Sequence, residues 1–62
     1  MILIFEGKKR KINFNGKAYE LLKKLGINSQ IVVIFRNGKI ITEEDLLDNN
    51  DKVEIERVIF GG

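Results

Sequence analysis

The chain has 62 residues, 44% of them hydrophobic, a formal charge of +2, and neither cysteine nor histidine. A domain of that length buries about 60% of the surface its unfolded chain exposes, which leaves no room for a second domain or a deep cofactor cleft. Without cysteine there is no disulfide framework, no cysteine-ligated zinc and no thiol nucleophile. Ser29 is the only serine, Thr42 the only threonine, and no histidine accompanies them, so no nucleophile–base pair can be assembled. The expectation is a protein that is acted upon, with no catalytic residues and no bound metal or cofactor. The longest apolar runs, 1–5 and 31–35, are too short to span a bilayer. No basic stretch leading into an apolar one marks a signal peptide, so a cytoplasmic protein without a membrane partner is expected.

Residues 1–6 are apolar and β-branched and predict a strand. Gly7-Lys8 predicts a turn. Residues 9–14 then alternate, Ile12 and Phe14 on one face, Lys9, Lys11 and Asn13 on the other, which completes a hairpin. From Lys17 the period changes: Ala18, Leu21, Leu22 and Leu25 recur at i, i+3, i+4 and i+7, the apolar stripe of a helix. Asn15 is the expected N-cap, Glu20 and Lys24 an i, i+4 pair in the favourable order, and Gly26 the left-handed residue that closes the helix.

Residues 31–36 predict a third strand, apolar on both faces as in the middle of a sheet. Asn37-Gly38 predicts a type I′ hairpin turn, and 39–41 the returning strand. Thr42, followed by Glu43, Glu44 and Asp45, predicts a helical turn within 42–47, and 48–51 a loop. Residues 52–59 predict the last strand, Val53 and Ile55 opposite Glu54 and Glu56, placed beside the first. The order gives an α+β domain, one helix packed on a mixed sheet of about five strands.

Beyond that strand stand Phe60, Gly61 and Gly62. With 6 glycines in 62 residues, somewhat above the usual share of about 7%, a given dipeptide is Gly-Gly by chance roughly once in 100 chains, so the pair invites a functional reading. Three internal segments point the same way: Glu20-Leu21-Leu22-Lys23-Lys24-Leu25-Gly26-Ile27 at the helix end, Arg36-Asn37-Gly38-Lys39-Ile40-Ile41 at the second hairpin, and Asn50-Asp51-Lys52-Val53-Glu54-Ile55 leading into the last strand. With the terminal diglycine, the chain resembles over nearly its whole length the small sulfur carriers of the ThiS/MoaD type, within the ubiquitin-like β-grasp superfamily. It departs from them at Gly16-Lys17-Ala18, where the family often has Gly-x-Thr, and at Asn50, where glycine is usual. Phe60 stands where ubiquitin has arginine, which favours a carrier over a conjugating modifier.

The resemblance implies that the Gly62 carboxylate is adenylated by a ubiquitin-activating-like enzyme at the expense of ATP, then converted to a thiocarboxylate. The sulfur would come from a donor of the cysteine desulfurase or rhodanese type. It would pass to an acceptor synthase, such as thiazole synthase or the large subunit of molybdopterin synthase, or to tRNA thiolation. Glycine suits the task because Gly61 and Gly62, lacking Cβ atoms, can thread a narrow channel. At about 3.5 Å per extended residue, 60–62 reach roughly 10 Å, and Phe60 can anchor the start of that tail.

With Val33 and Phe35 taken to face the helix, Val32 and Ile34 face outward beside Ile2, Ile4 and Val58, and these five form the expected partner-binding patch. Two other functions use the same residues differently. One is a ubiquitin-like modifier joined to lysines through Gly62. The other is a non-catalytic β-grasp module that contacts RNA through Lys8, Lys9, Arg10 and Lys11. No aromatic stacking array accompanies those cations, so they are read as a charged, aggregation-resistant sheet edge, and a nucleic-acid partner is not expected. Glu43, Glu44, Asp45, Asp48 and Asp51 lack the spacing of a calcium loop and read as cap and loop chemistry.

Overall fold

The structure, a computed structural model, describes residues 1–58. Its main sheet is built from β1 (Ile2–Phe5), β2 (Lys8–Lys11), β4 (Val32–Arg36), β5 (Lys39–Ile41) and β7 (Lys52–Arg57). Two short strands, β3 (Gly16–Lys17) and β6 (Leu46–Leu47), pair with each other, and β3 runs directly into α1 (Ala18–Leu25). The main sheet has the order β2-β1-β7-β4-β5. It is mixed, because β1 and β7 lie parallel while the other neighbours are antiparallel. This is the five-stranded sheet with one helix expected of a β-grasp domain.

Period explains which face is covered. Ala18, Leu21 and Leu22 of α1 are buried against Leu3, Ile34, Val53 and Ile55 of the sheet, with Met1 and Leu47 closing the ends. Complete burial of such side chains contributes roughly 1.5–3 kcal/mol each, which the small domain needs. The helix closes as expected: Gly26 has φ 72°, its N–H donates to the Lys23 carbonyl (3.1 Å), and that of Ile27 donates to the Leu22 carbonyl (2.9 Å). That pair of bonds is a Schellman motif.

The helix start differs from expectation. Asn15 does not cap it; its Oδ1 accepts the N–H of Asn49 at 2.9 Å. The first helical amides are satisfied by the chain beyond the sheet: Ala18 N–H donates to the Asp45 carbonyl and Tyr19 N–H to the Glu43 carbonyl, both at 2.9 Å. Glu20 Oε1 accepts the Lys17 N–H at 3.3 Å. Backbone carbonyls thus do what a side-chain cap was expected to do.

The same contacts explain why 42–47 is not a helical turn throughout. A single turn forms where Thr42 N–H donates to Asp45 Oδ2 at 2.9 Å, after which Leu46 and Leu47 extend to pair with Lys17 and Gly16. The first hairpin turns one residue earlier than expected, at Glu6-Gly7, both with positive φ, and β2 ends at Lys11. Ile12 and Phe14 pack against the core from beyond the strand end.

Candidate functional site

The proposed tail, Phe60, Gly61 and Gly62, lies outside the described residues. The strand that leads to it is central. β7 is flanked by β1 and β4, Val53 and Ile55 are buried beneath it, and the N–H of the half-buried Val58 donates to the Ile31 carbonyl at 2.8 Å. Near the end of β7, Arg57 forms an ion pair with Glu6 and lies 5.5 Å from the centroid of the Phe5 ring.

Register assigns every sheet residue to a face. Ile34 stands opposite Ile55, and both are in the core, Ile34 with 5% of its surface exposed. Val32, two residues away, packs at the core margin. Val32 and Ile34 therefore do not belong to an outward patch, and that assignment is corrected. The outward residues of β4 are Val33 and Phe35. β4 is apolar on both faces, so its alternation has no phase of its own. Pairing with β7 supplies it, because Val53 and Ile55 must bury, and a one-residue slip would turn every side chain over. Ile2 and Ile4 lie outward as expected. Val58, past the end of β7, continues the alternation of Glu54 and Glu56.

The face away from α1 can be read as rows. Lys9, Ile4, Glu54, Phe35 and Ile40 are successive cross-strand partners from one edge of the sheet to the other. Lys11, Ile2 and Lys52 make a second row, and Glu56 with Val33 a third. Ile2, Ile4, Val33 and Phe35 are half-buried yet absent from the set packed on the core, and Ile40 is 69% exposed. Aliphatic and aromatic groups thus flank an acidic centre on β7. Ile40 escaped the sequence reading, although a two-residue turn at Asn37-Gly38 places it opposite Phe35 and so on the same face.

The other charged groups resolve into structure. All four residues of β2 are exposed along the sheet edge, Lys9 and Lys11 on the open face and Lys8 and Arg10 on the other. The acidic run organises loops. Asp48 N–H donates to Asp51 Oδ2 (2.8 Å), Asn50 N–H to Asp48 Oδ1 (2.8 Å), and Asn37 Nδ2 to Asp51 Oδ1 (2.9 Å). The Asp48 N–H is the main cause that holds the Asp51 carboxyl below its ordinary pKa near 3.8; desolvation opposes it, and Asn37, Arg36 and the N-terminal charge each add a lesser lowering effect. Among the described residues no group of three acidic, histidine or cysteine side chains is arranged to hold a metal ion, and no helix is long and apolar enough to cross a membrane.

The sequence reading also missed Asn49. Its Oδ1 accepts from the N-terminal ammonium and from Phe14 N–H, each at 3.1 Å, and the ammonium also donates to the Ile12 carbonyl at 2.9 Å. One amide side chain therefore ties together the start of β1, the segment after β2 and the loop before β7.

Comparison with known proteins agrees with this architecture. The family model described as ThiS family matches residues 3–62. The chain is also similar to an uncharacterized protein of Archaeoglobus fulgidus, 34% identical over 59 residues, an overlap of 94% of this chain and 87% of that protein.

Proposed function

The chain belongs to the ThiS family, and from that premise we propose that it is a sulfur carrier working through the carboxylate of Gly62. The observation that carries the reading is the family match, which runs through Phe60, Gly61 and Gly62. The folded body supports it by offering no nucleophile–base pair, as Ser29 and Thr42 stand without any histidine or cysteine in the chain.

A carboxylate with an ordinary pKa near 3.5 is ionised at neutral pH and inert toward sulfur nucleophiles. An adenylating partner brings one Gly62 oxygen onto the α-phosphorus of ATP, and pyrophosphate leaves. The terminal sulfur of a donor persulfide then attacks the acyl carbon and AMP leaves, giving an acyl disulfide. A thiol on the donor side supplies two electrons, breaks the S–S bond and is itself oxidised to a disulfide, which frees the thiocarboxylate. An acceptor synthase for thiazole or molybdopterin, or a tRNA-thiolating enzyme, takes the sulfur and returns the carboxylate. Among these the choice lies with the partner. The carrier contributes the acyl end, the narrow glycine lead and a docking surface, and it stays in the cytoplasm with these enzymes.

The test is to incubate the protein with the adenylating enzyme of the same genome, ATP and a persulfide donor. Intact-mass analysis should show one oxygen replaced by sulfur at Gly62. Gly61→Ala and Gly62→Ala should each slow ATP–pyrophosphate exchange about a hundredfold, as displacement of a reacting group does, with melting unchanged. Exchange that is indifferent to both substitutions refutes the reading. A Gly-Gly remnant on lysines, without sulfur at the terminus, assigns the chain to the modifiers instead.

A further inference from the structure

The two hairpins of the main sheet each turn on two left-handed residues, and they differ at the first of the two. The second hairpin uses Asn37 (φ 52°) and Gly38 (φ 84°), residue types that tolerate such angles. The first uses Gly7 (φ 74°) but holds Glu6 at φ 52°, an angle at which glutamate is uncommon. Backbone strain of that kind is held in place by its surroundings and clusters where it is used. Here the strained residue directs a carboxylate to Arg57, whose guanidinium also lies 5.5 Å from the centroid of the Phe5 ring.

That contact falls where the sheet's hold on β7 becomes one-sided. Pairing with β1 ends at Phe5 and Ile55, whereas pairing with β4 continues to Val32 and Arg57. One residue further on, Val58 N–H still reaches the Ile31 carbonyl. Glu56 and Arg57 thus run past the last pair with β1, in register with β4 alone. Because β1 and β7 are parallel, the turn after β1 stands beside this end of β7, and the Glu6–Arg57 pair spans the side that the ladder leaves open.

We infer that Glu6 and Arg57, together with Phe5, form a clamp that fixes the root of the chain end and sets the direction in which it leaves the sheet. Both are positioning residues and touch no reacting atom. The use of that direction rests on the carrier reading: a chain end aimed from a fixed root enters a partner's pocket more often than one that sweeps. Arginine suits the clamp better than lysine, since its planar group pairs with a carboxylate and stacks on a ring together. The two side chains are half-exposed, so the gain is modest. An exposed pair shifts an equilibrium by at most about fivefold.

Glu6→Asn tests the clamp, because asparagine accepts the left-handed angle and carries no charge for Arg57. Melting should stay level or rise, while amide hydrogen exchange at Val58 should quicken about threefold to fivefold in the free protein. Entry of the chain end follows docking of the body. In ATP–pyrophosphate exchange with the adenylating enzyme, kcat should therefore fall by a similar factor with KM unchanged. Arg57→Gln should act on Val58 and kcat in the same way, and the double variant should do no more than either alone. Lys17→Gln, which breaks the Lys17–Glu44 pair, should leave both readouts at wild type. Unmoved exchange at Val58, or additive effects of the two substitutions, overturns the clamp. So does a Glu6→Asn variant that melts lower and keeps its kcat, because Glu6 then serves stability alone. The Val58 readout needs no partner. Quickened exchange there in a protein that never supports ATP–pyrophosphate exchange would count for the clamp and against the carrier reading.

Discussion

Replacing Ile34 with alanine should destabilise the domain several times more than replacing its neighbour Val33, although the two are adjacent aliphatics in one strand. Ile34 is 5% exposed and faces Ile55 across the ladder. Truncation to alanine removes three carbons from a filled space, about 2.4 kcal/mol of transfer energy at about 0.8 per methylene. The cavity left behind brings the total to about 3 kcal/mol. Val33 stands opposite Glu56 on the open face, where losing two methyl groups and some strand preference costs about 0.5–1 kcal/mol. A chain of 62 residues has a total stability of roughly 3–9 kcal/mol, so Ile34→Ala approaches the folding threshold. Ile34→Val, at about 1 kcal/mol, provides a folded version of the same experiment. Urea denaturation followed by circular dichroism reads all three. With a slope of about 1 kcal/mol/M, the midpoint should fall by about 3 M for Ile34→Ala and by less than about 1 M for Val33→Ala. If Val33→Ala proved the more damaging, the face assignment of β4 would be reversed and the docking surface would have to be redrawn.

Asn49→Ala removes the shared acceptor of the N-terminal ammonium and Phe14 N–H. It should cost about 1–3 kcal/mol in urea denaturation, the range for part-buried donors left unpaired; a loss within error would show that water replaces the amide freely. Asp51 carries the acid sensitivity of the loop before β7. Its folded pKa lies below the ordinary value near 3.8, so its stabilisation is complete above that value and disappears as pH falls through the lowered one. The difference in melting temperature between wild type and Asp51→Asn should therefore be widest above that ordinary value and close on acidification below it. A gap that stays constant or widens toward low pH would refute the assignment.

The elements that sequence reading found are those whose signal is local. The stripe of Ala18, Leu21, Leu22 and Leu25 has the helical period and no other, and Gly26 marks its end by a backbone angle that few residues adopt. Asn37-Gly38 specifies a two-residue turn, and with it the pairing of Arg36 with Lys39. What escaped depends on residues distant in the chain. Asn15 has the chemistry of a cap, but the carbonyls of Glu43 and Asp45 reach the helix start first. The segment 42–47 has the composition of a helix start, and it extends because Gly16 and Lys17 offer it a partner. The phase of β4 was illegible for the same reason: Val32, Val33, Ile34 and Phe35 are all apolar, and only the ladder with β7 decides which two turn inward. The diglycine stands out in the sequence by composition alone, and the family match runs through it.

The position of β7 between two neighbours has a mechanical consequence. A partner that draws the chain onward beyond Val58 while gripping the sheet face pulls β7 along its own axis. The ladders to β1 and β4 then carry the load in shear, with their bonds strained together, and cannot open one at a time like a zipper. Traction on that strand is thus resisted by the width of the sheet, and the body can serve as an anchor while its end is handled by another enzyme.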